Sequence, residues 1–65
     1  MMDCFIVRKG NEYLVAVPYT DTLVIRWSVS KFDAVQFWRR STARKVADRV
    51  NGEVVTLNRL TGIIQ

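Results

Sequence analysis

Ala43, Val46, Ala47 and Val50 recur at helical spacing, and Asn51-Gly52 follows at once. The stripe is narrow, built of small residues, and closed by a stop signal. Ser41 or Thr42 offers an oxygen to cap the start, where first-turn amides lack partners. A helix of about ten residues is shorter than one stable alone in water. It must lie on something, and the sequence on both sides is strand-like. The expected fold class is therefore α+β: a small antiparallel β-sheet, a three-stranded meander plus a C-terminal strand, packed by one short helix.

The strands are read from alternation and turn residues. Residues 4–8, CFIVR, form a short apolar run that stops at Lys9-Gly10-Asn11. Residues 13–19, YLVAVPY, follow, so the two runs make a hairpin with Gly10 at positive φ, or Asn11 in its place. Pro18 lacks an amide for a ladder and belongs at a strand end or edge. In residues 22–29, Leu23, Ile25, Trp27 and Val29 alternate with Thr22, Val24, Arg26 and Ser28, which predicts a strand with the first set inward. Tyr19-Thr20-Asp21-Thr22 is the turn before it.

Ser30-Lys31-Phe32-Asp33 reads as a turn or one helical turn, and Ala34–Trp38 as a short extended piece, with a helix from Asp33 as the competing reading. Residues 53–58, EVVTLN, form the last strand, with Val55 and Leu57 on the face of Glu53. Leu60, Ile63 and Ile64 lie beyond it, to cover a core edge or meet a partner. Cys4 is expected to pack as a small hydrophobe near the sheet edge.

A chain of 65 residues holds one small domain, 1–65, and no second one. Burial of about 6,600 Å² gains about as much as ordering the chain costs. The narrow surplus makes self-association through Ile63, Ile64 or an open strand edge an expectation, as a homo-oligomer.

One cysteine permits no internal disulfide, and the absence of histidine excludes a conventional Cys/His zinc site and a histidine base. Asp21, Asp33, Asp48 and Glu53 have no metal or glycosidase spacing, and the glycines form no phosphate loop. Neither catalysis nor a cofactor is expected. No run of apolar residues reaches membrane-spanning length, and Met1-Met2-Asp3-Cys4 lacks a basic leader. The expected location is cytoplasmic, with no membrane contact, and a lone thiol fits a reducing compartment.

Charge is the informative functional signal. Arg39, Arg40, Arg44, Lys45 and Arg49 fall within eleven residues with Asp48 as the only acid, so this window carries the whole formal +4 of the chain. If the small apolar stripe faces inward, these cations face outward or sideways. Arg39 and Arg40 stand near the positive end of the helix dipole, which disfavours the isolated fold modestly and favours an anion. Three readings compete. The face contacts an acidic protein surface, binds the phosphates of DNA or RNA, or is a solvated surface that aids solubility. No helix-turn-helix pair, zinc finger or RNA-binding motif accompanies it.

Among the aromatics, Trp27 fits an inward strand face, and Tyr13 and Tyr19 read as sheet packing. Phe37 and Trp38 are adjacent, so an extended backbone points them apart. Trp38 beside Arg39 and Arg40 is placed to stack on a base, to anchor a protein contact, or to pack at a core rim.

Ala34 to Phe37, Ser41-Thr42-Ala43, Val46-Ala47 and Gly52-Glu53-Val54-Val55 together form a pattern over residues 13–57. It resembles small uncharacterised proteins encoded by phages or prophages of bacteria, which place a short β-meander before one helix and a closing strand. The chain departs from that pattern in being strongly basic at Arg39-Arg40 and Arg44-Lys45. The resemblance implies a host-directed binder, a DNA-associated accessory factor or an inhibitor, and carries over no catalytic residue. The expected function is a noncatalytic binding protein using Trp38, Arg39, Arg40, Arg44, Lys45 and Arg49 on an acidic protein. DNA or RNA binding by the same face, and a structural small subunit, are the alternatives.

Overall fold

The computed structural model describes residues 3–15 and 26–65. Expectations about the second strand beyond Val15, Pro18, the turn at Tyr19–Thr22, and Leu23 and Ile25 lie outside the described residues. Strands β1 (Asp3–Lys9), β2 (Glu12–Leu14), β3 (Trp27–Ser28) and β4 (Glu53–Asn58) form one antiparallel sheet in the order β3-β2-β1-β4. Among the described strands, β4 returns beside β1, so their spatial order is that of a Greek key. A single 3-10 turn (Lys31–Asp33) and the helix α1 (Arg40–Val50) make the long return from β3 to β4.

The hairpin between β1 and β2 has a two-residue loop, because Lys9 pairs with Glu12. Gly10 takes φ 62° and Asn11 stays at negative φ, the pattern of glycine at the first central position that matches strand twist. Next to β1, β4 pairs along six residues, from Asp3 opposite Asn58 to Arg8 opposite Glu53.

β1 is thus interior to the sheet, and this corrects the expectation that Cys4 lies near an edge. Cys4 pairs with Leu57 and is fully buried. The edge of β1 that β2 leaves uncovered is taken by Phe37. Phe5 and Phe37 each donate an amide to the other's carbonyl at 2.8 Å, and the Val35 amide reaches the Leu14 carbonyl at 2.9 Å. The segment 34–38 is therefore extended, as its bulky residues suggest, and the helical alternative is excluded.

Alternation then sorts the core onto two faces. Val7, Leu14 and Phe37 pack with Ala43, Ala47 and Val50 of α1, supported by half-buried Phe5, Trp27, Val46 and Val54. Cys4, Ile6, Val55 and Leu57 share the opposite face with Ala34, Tyr13 and Ile64. The small residues of α1 let it lie close against β1 and β4. An alanine β-carbon at position 52 would stand 2.8 Å from Val7 Cγ1 and 3.0 Å from the Arg8 carbonyl oxygen, so Gly52 is required where the chain leaves α1 for β4.

Two expectations about α1 and its surroundings need correction. Neither Ser41 nor Thr42 caps the helix. Its N-cap is Arg39, in an extended conformation and with no side-chain cap, and the Arg39 carbonyl accepts the Ala43 amide at 3.2 Å. The bridge at Phe37 pins the backbone, so only Trp38 and Arg39 remain to turn the chain. Arg40, Ser41 and Thr42 are exposed, so water can satisfy the first-turn amides. At the other end the left-handed residue is Asn51 (φ 58°), followed by the Gly52 amide donating to the Ala47 carbonyl at 2.8 Å.

The second correction concerns Val29. It lies in a bend after the two-residue β3 and is 79% exposed, so it does not share the inward face of Trp27. Period two carries no information once the strand has ended.

Candidate functional site

Residues 37–50 form one continuous device. Phe37 is buried and hydrogen-bonded to β1, so Trp38 points the opposite way and is 58% exposed. Immediately afterwards α1 begins, with Arg39, Arg40, Arg44, Lys45 and Arg49 all exposed. Ala43, Ala47 and Val50 are buried and Val46 is half-buried, so the helical register is the one the apolar stripe requires. Among the described residues the one salt bridge joins Arg8 and Glu53, and none involves a cation of α1.

The cations do not form a single patch. Each residue advances about 100° around the axis. Arg40, Arg44 and Asp48 make one row at four-residue spacing, and Lys45 and Arg49 make another across the solvent crest. The first row faces β4. Arg40, Arg44 and Asp48 line an open groove of about 250 Å³ with Gly52, Glu53 and Val54. Its far wall carries a carboxylate already engaged: Glu53 Oε1 accepts from Arg8 Nε at 2.9 Å and Arg8 Nη2 at 2.7 Å. That hydrogen bond holds the Arg8 guanidinium above its already high ordinary value.

Aromatic rings position two of the arginines. The Arg40 guanidinium carbon lies 5.1 Å from the Phe5 ring centroid, and that of Arg59 lies 5.2 Å from the Trp38 ring centroid. Both are within cation–π range. Arg59 is a site residue that sequence reasoning missed. It follows β4, twenty-one positions from Trp38, and only the pairing of β4 with β1 brings it there. Glu53 is likewise drawn into the site by folding, whereas Asp48 stands one helical turn from Arg44 and follows from the helix register. Lys9 lies at the opposite helix end, where its ammonium donates to the Val50 carbonyl at 3.3 Å.

Cys4 is separate from this surface. Burial pushes its thiol above the ordinary value, with nearby Arg59 acting in the other direction and Asp3 in the same one. A buried thiol held neutral is a poor nucleophile. Among the described residues no three of Cys, Asp and Glu gather as metal ligands, and no helix is long and apolar enough to cross a membrane. No family model matches the chain, and neither a curated protein nor a solved structure shows significant similarity to it.

Proposed function

We propose that this chain is a noncatalytic binding protein that contacts an acidic protein surface through α1 and Trp38. The observation that supports this is the set of exposed cations in two rows, without ion-pair partners among the described residues, on a helix fixed to the sheet by Ala43, Ala47 and Val50. The exposed cations concentrate positive potential, and a partner supplying carboxylates would relieve it. Trp38, held by its neighbour Phe37 and flanked by Arg59, is a large apolar group of the kind that dominates interface energies. A host-directed binder of this sort is what the resemblance to phage and prophage proteins implies.

Asp48 and Glu53 weigh against a phosphate backbone as the ligand. They stand on both walls of the groove beside Arg40 and Arg44. A continuous phosphate track along the helix would pass these carboxylates, whereas a protein surface can answer both signs. Nucleic acid remains the competing partner because Trp38 and Arg59 together offer a ring and a guanidinium for base stacking.

The test is capture from lysate of the source cells by the immobilised chain, with and without nuclease. A protein captured in both, and lost with the double variant Arg44→Glu/Arg49→Glu, is the expected result. Capture that disappears with nuclease assigns the face to nucleic acid, whose binding should also fall steeply with salt. A partner that binds the double variant normally would place the contact elsewhere.

A further inference from the structure

The large exposed apolar side chains of the described residues are Val29, Phe32, Trp38, Leu60 and Ile63. Single exposed apolar groups are ordinary, but a contiguous set marks a contact surface. Four of these five converge on one turn. After β4 the chain reverses between Asn58 and Ile63 and runs back along the outer edge of β4. The Asn58 amide donates to the Ile63 carbonyl at 2.9 Å, and the Gln65 amide to the Thr56 carbonyl at 2.9 Å. Asn58 Oδ1 accepts the amides of Leu60 and Thr61 at 2.9 and 3.1 Å, and the Asn58 carbonyl accepts that of Gly62 at 2.7 Å. The turn is held by its own hydrogen bonds, so its side chains are presented from a fixed backbone.

On one flank the Phe32 ring lies against Gly62, close enough that an added β-carbon would meet Phe32 Cζ at 2.8 Å. On the other flank Arg59 lies over Trp38. Between them the turn presents Leu60, 75% exposed, and Ile63, 58% exposed.

Charge decides what fits this surface. Lys31 stands over the Phe32 ring at 5.6 Å, Arg59 over Trp38, and Arg39 follows Trp38 in the chain. Asp33 follows Phe32, and Asp3 faces Asn58 across the sheet, as the acids on this side. An apolar centre with a mainly cationic border complements apolar anchors flanked by carboxylates. A second copy of the chain complements it poorly, because a two-fold axis through the apolar centre would set the mainly cationic border of one copy against that of the other.

We propose that the surface formed by Phe32, Trp38, Leu60 and Ile63 seats an acidic protein segment through apolar side chains interspersed with aspartate or glutamate. This rests on the reading of the chain as a binder of acidic proteins and names where such a partner is anchored. Trp38 belongs to both surfaces, so the segment would run from the turn toward the cations at the start of α1. The helix supplies long-range attraction, and the turn supplies the desolvated contact that sets residence time.

The test is a titration of the ¹⁵N-labelled full chain with two short synthetic peptides of equal negative charge. One carries only glutamate and serine, and the other has leucine and phenylalanine in place of some serines. The anchored peptide should bind about tenfold tighter or better, the effect of one good apolar hot spot. Shifts should centre on Leu60, Gly62, Ile63, Phe32 and the Trp38 indole. Leu60→Ser/Ile63→Ser should remove the tenfold advantage and leave the weaker glutamate binding intact. Leu60→Ser alone serves if the double variant loses spectral dispersion.

Equal affinity for the two peptides, with shifts confined to α1, would overturn the anchor surface and leave the acidic-partner reading standing. No binding of either peptide would overturn both. Turn shifts that change on dilution of the free chain would assign the surface to a second copy. Preferential binding to phosphatidylserine vesicles would assign it to a membrane. Either result refutes the proposal.

Discussion

Gly52→Ala tests the close approach on which the placement of α1 depends. The new methyl would lie 2.8 Å from Val7 Cγ1, 3.0 Å from the Arg8 carbonyl oxygen and 3.5 Å from Val50 Cγ2. Favourable carbon–carbon separations are about 3.5–4.0 Å. The neighbours have little room to withdraw. Val7 is fully buried, Val50 is 5% exposed, and Arg8 is paired with Glu53 in the ladder. Overpacking of this kind costs about 1–3 kcal/mol. Gly52 is not in the left-handed region, so alanine also removes freedom from the unfolded chain, worth about 0.4–1 kcal/mol in the other direction. The net loss is about 1–2 kcal/mol, a fall in Tm of roughly 4–8 °C for each kcal/mol in a domain this small. Urea unfolding followed by circular dichroism measures it. Val7→Ala removes one of the clashing atoms, so Gly52→Ala should cost less in that background, with coupling of about 0.5–3 kcal/mol. A Gly52→Ala variant as stable as the parent, or strictly additive losses in the cycle, would refute the close-packed placement. The consequence reaches the site, because Gly52 also lies in the groove with Arg40, Arg44 and Glu53.

Three further outcomes are expected. Asn51 sits at φ 58°, so Asn51→Ala should lose about 1 kcal/mol of stability and Asn51→Gly should be neutral or stabilising by a few tenths, measured by thermal unfolding; equal stabilities would contradict the left-handed cap. Leu57 is 1% exposed, and Leu57→Ala should cost about 2–5 kcal/mol, much of the roughly 3–10 kcal/mol that a chain this size holds, so nuclear magnetic resonance dispersion should be reduced or lost. Burial raises the Cys4 thiol in the folded state, so its contribution to stability is intact below the ordinary thiol range and is lost as pH rises through the raised value; the parent should lose stability faster than Cys4→Ala in alkaline buffer, and its thiol should stay unreactive toward a disulfide reagent until unfolding.

Much of the local structure was legible in residue order. The register of α1 follows from Ala43, Val46, Ala47 and Val50, and the bounds of β4 match the run EVVTLN. Gly10 at positive φ and the divergence of Phe37 and Trp38 also follow from neighbours in sequence. Each is a local effect, a matter of periodicity or of one residue's allowed backbone angles. The start of α1 was not legible, because Ser41 and Thr42 look like caps until Phe37 is seen tied to Phe5. Val29 failed for the same reason: alternation does not say where a strand ends.

The amino-acid order alone determined that a short basic helix must rest on a sheet, since so few residues cannot hold a helix in water by themselves. It also determined that the excess charge lies on that helix. Only the tertiary structure decided how the charge is divided. Folding set Glu53 across the groove from Arg40 and Arg44, brought Arg59 over Trp38, and laid Phe32 against the turn that carries Leu60 and Ile63. These partners are distant in sequence and meet only when the strands pair, so no local pattern in the chain encodes their meeting; Asp48, four positions from Arg44 on the same helix, is the neighbour that residue order already shows.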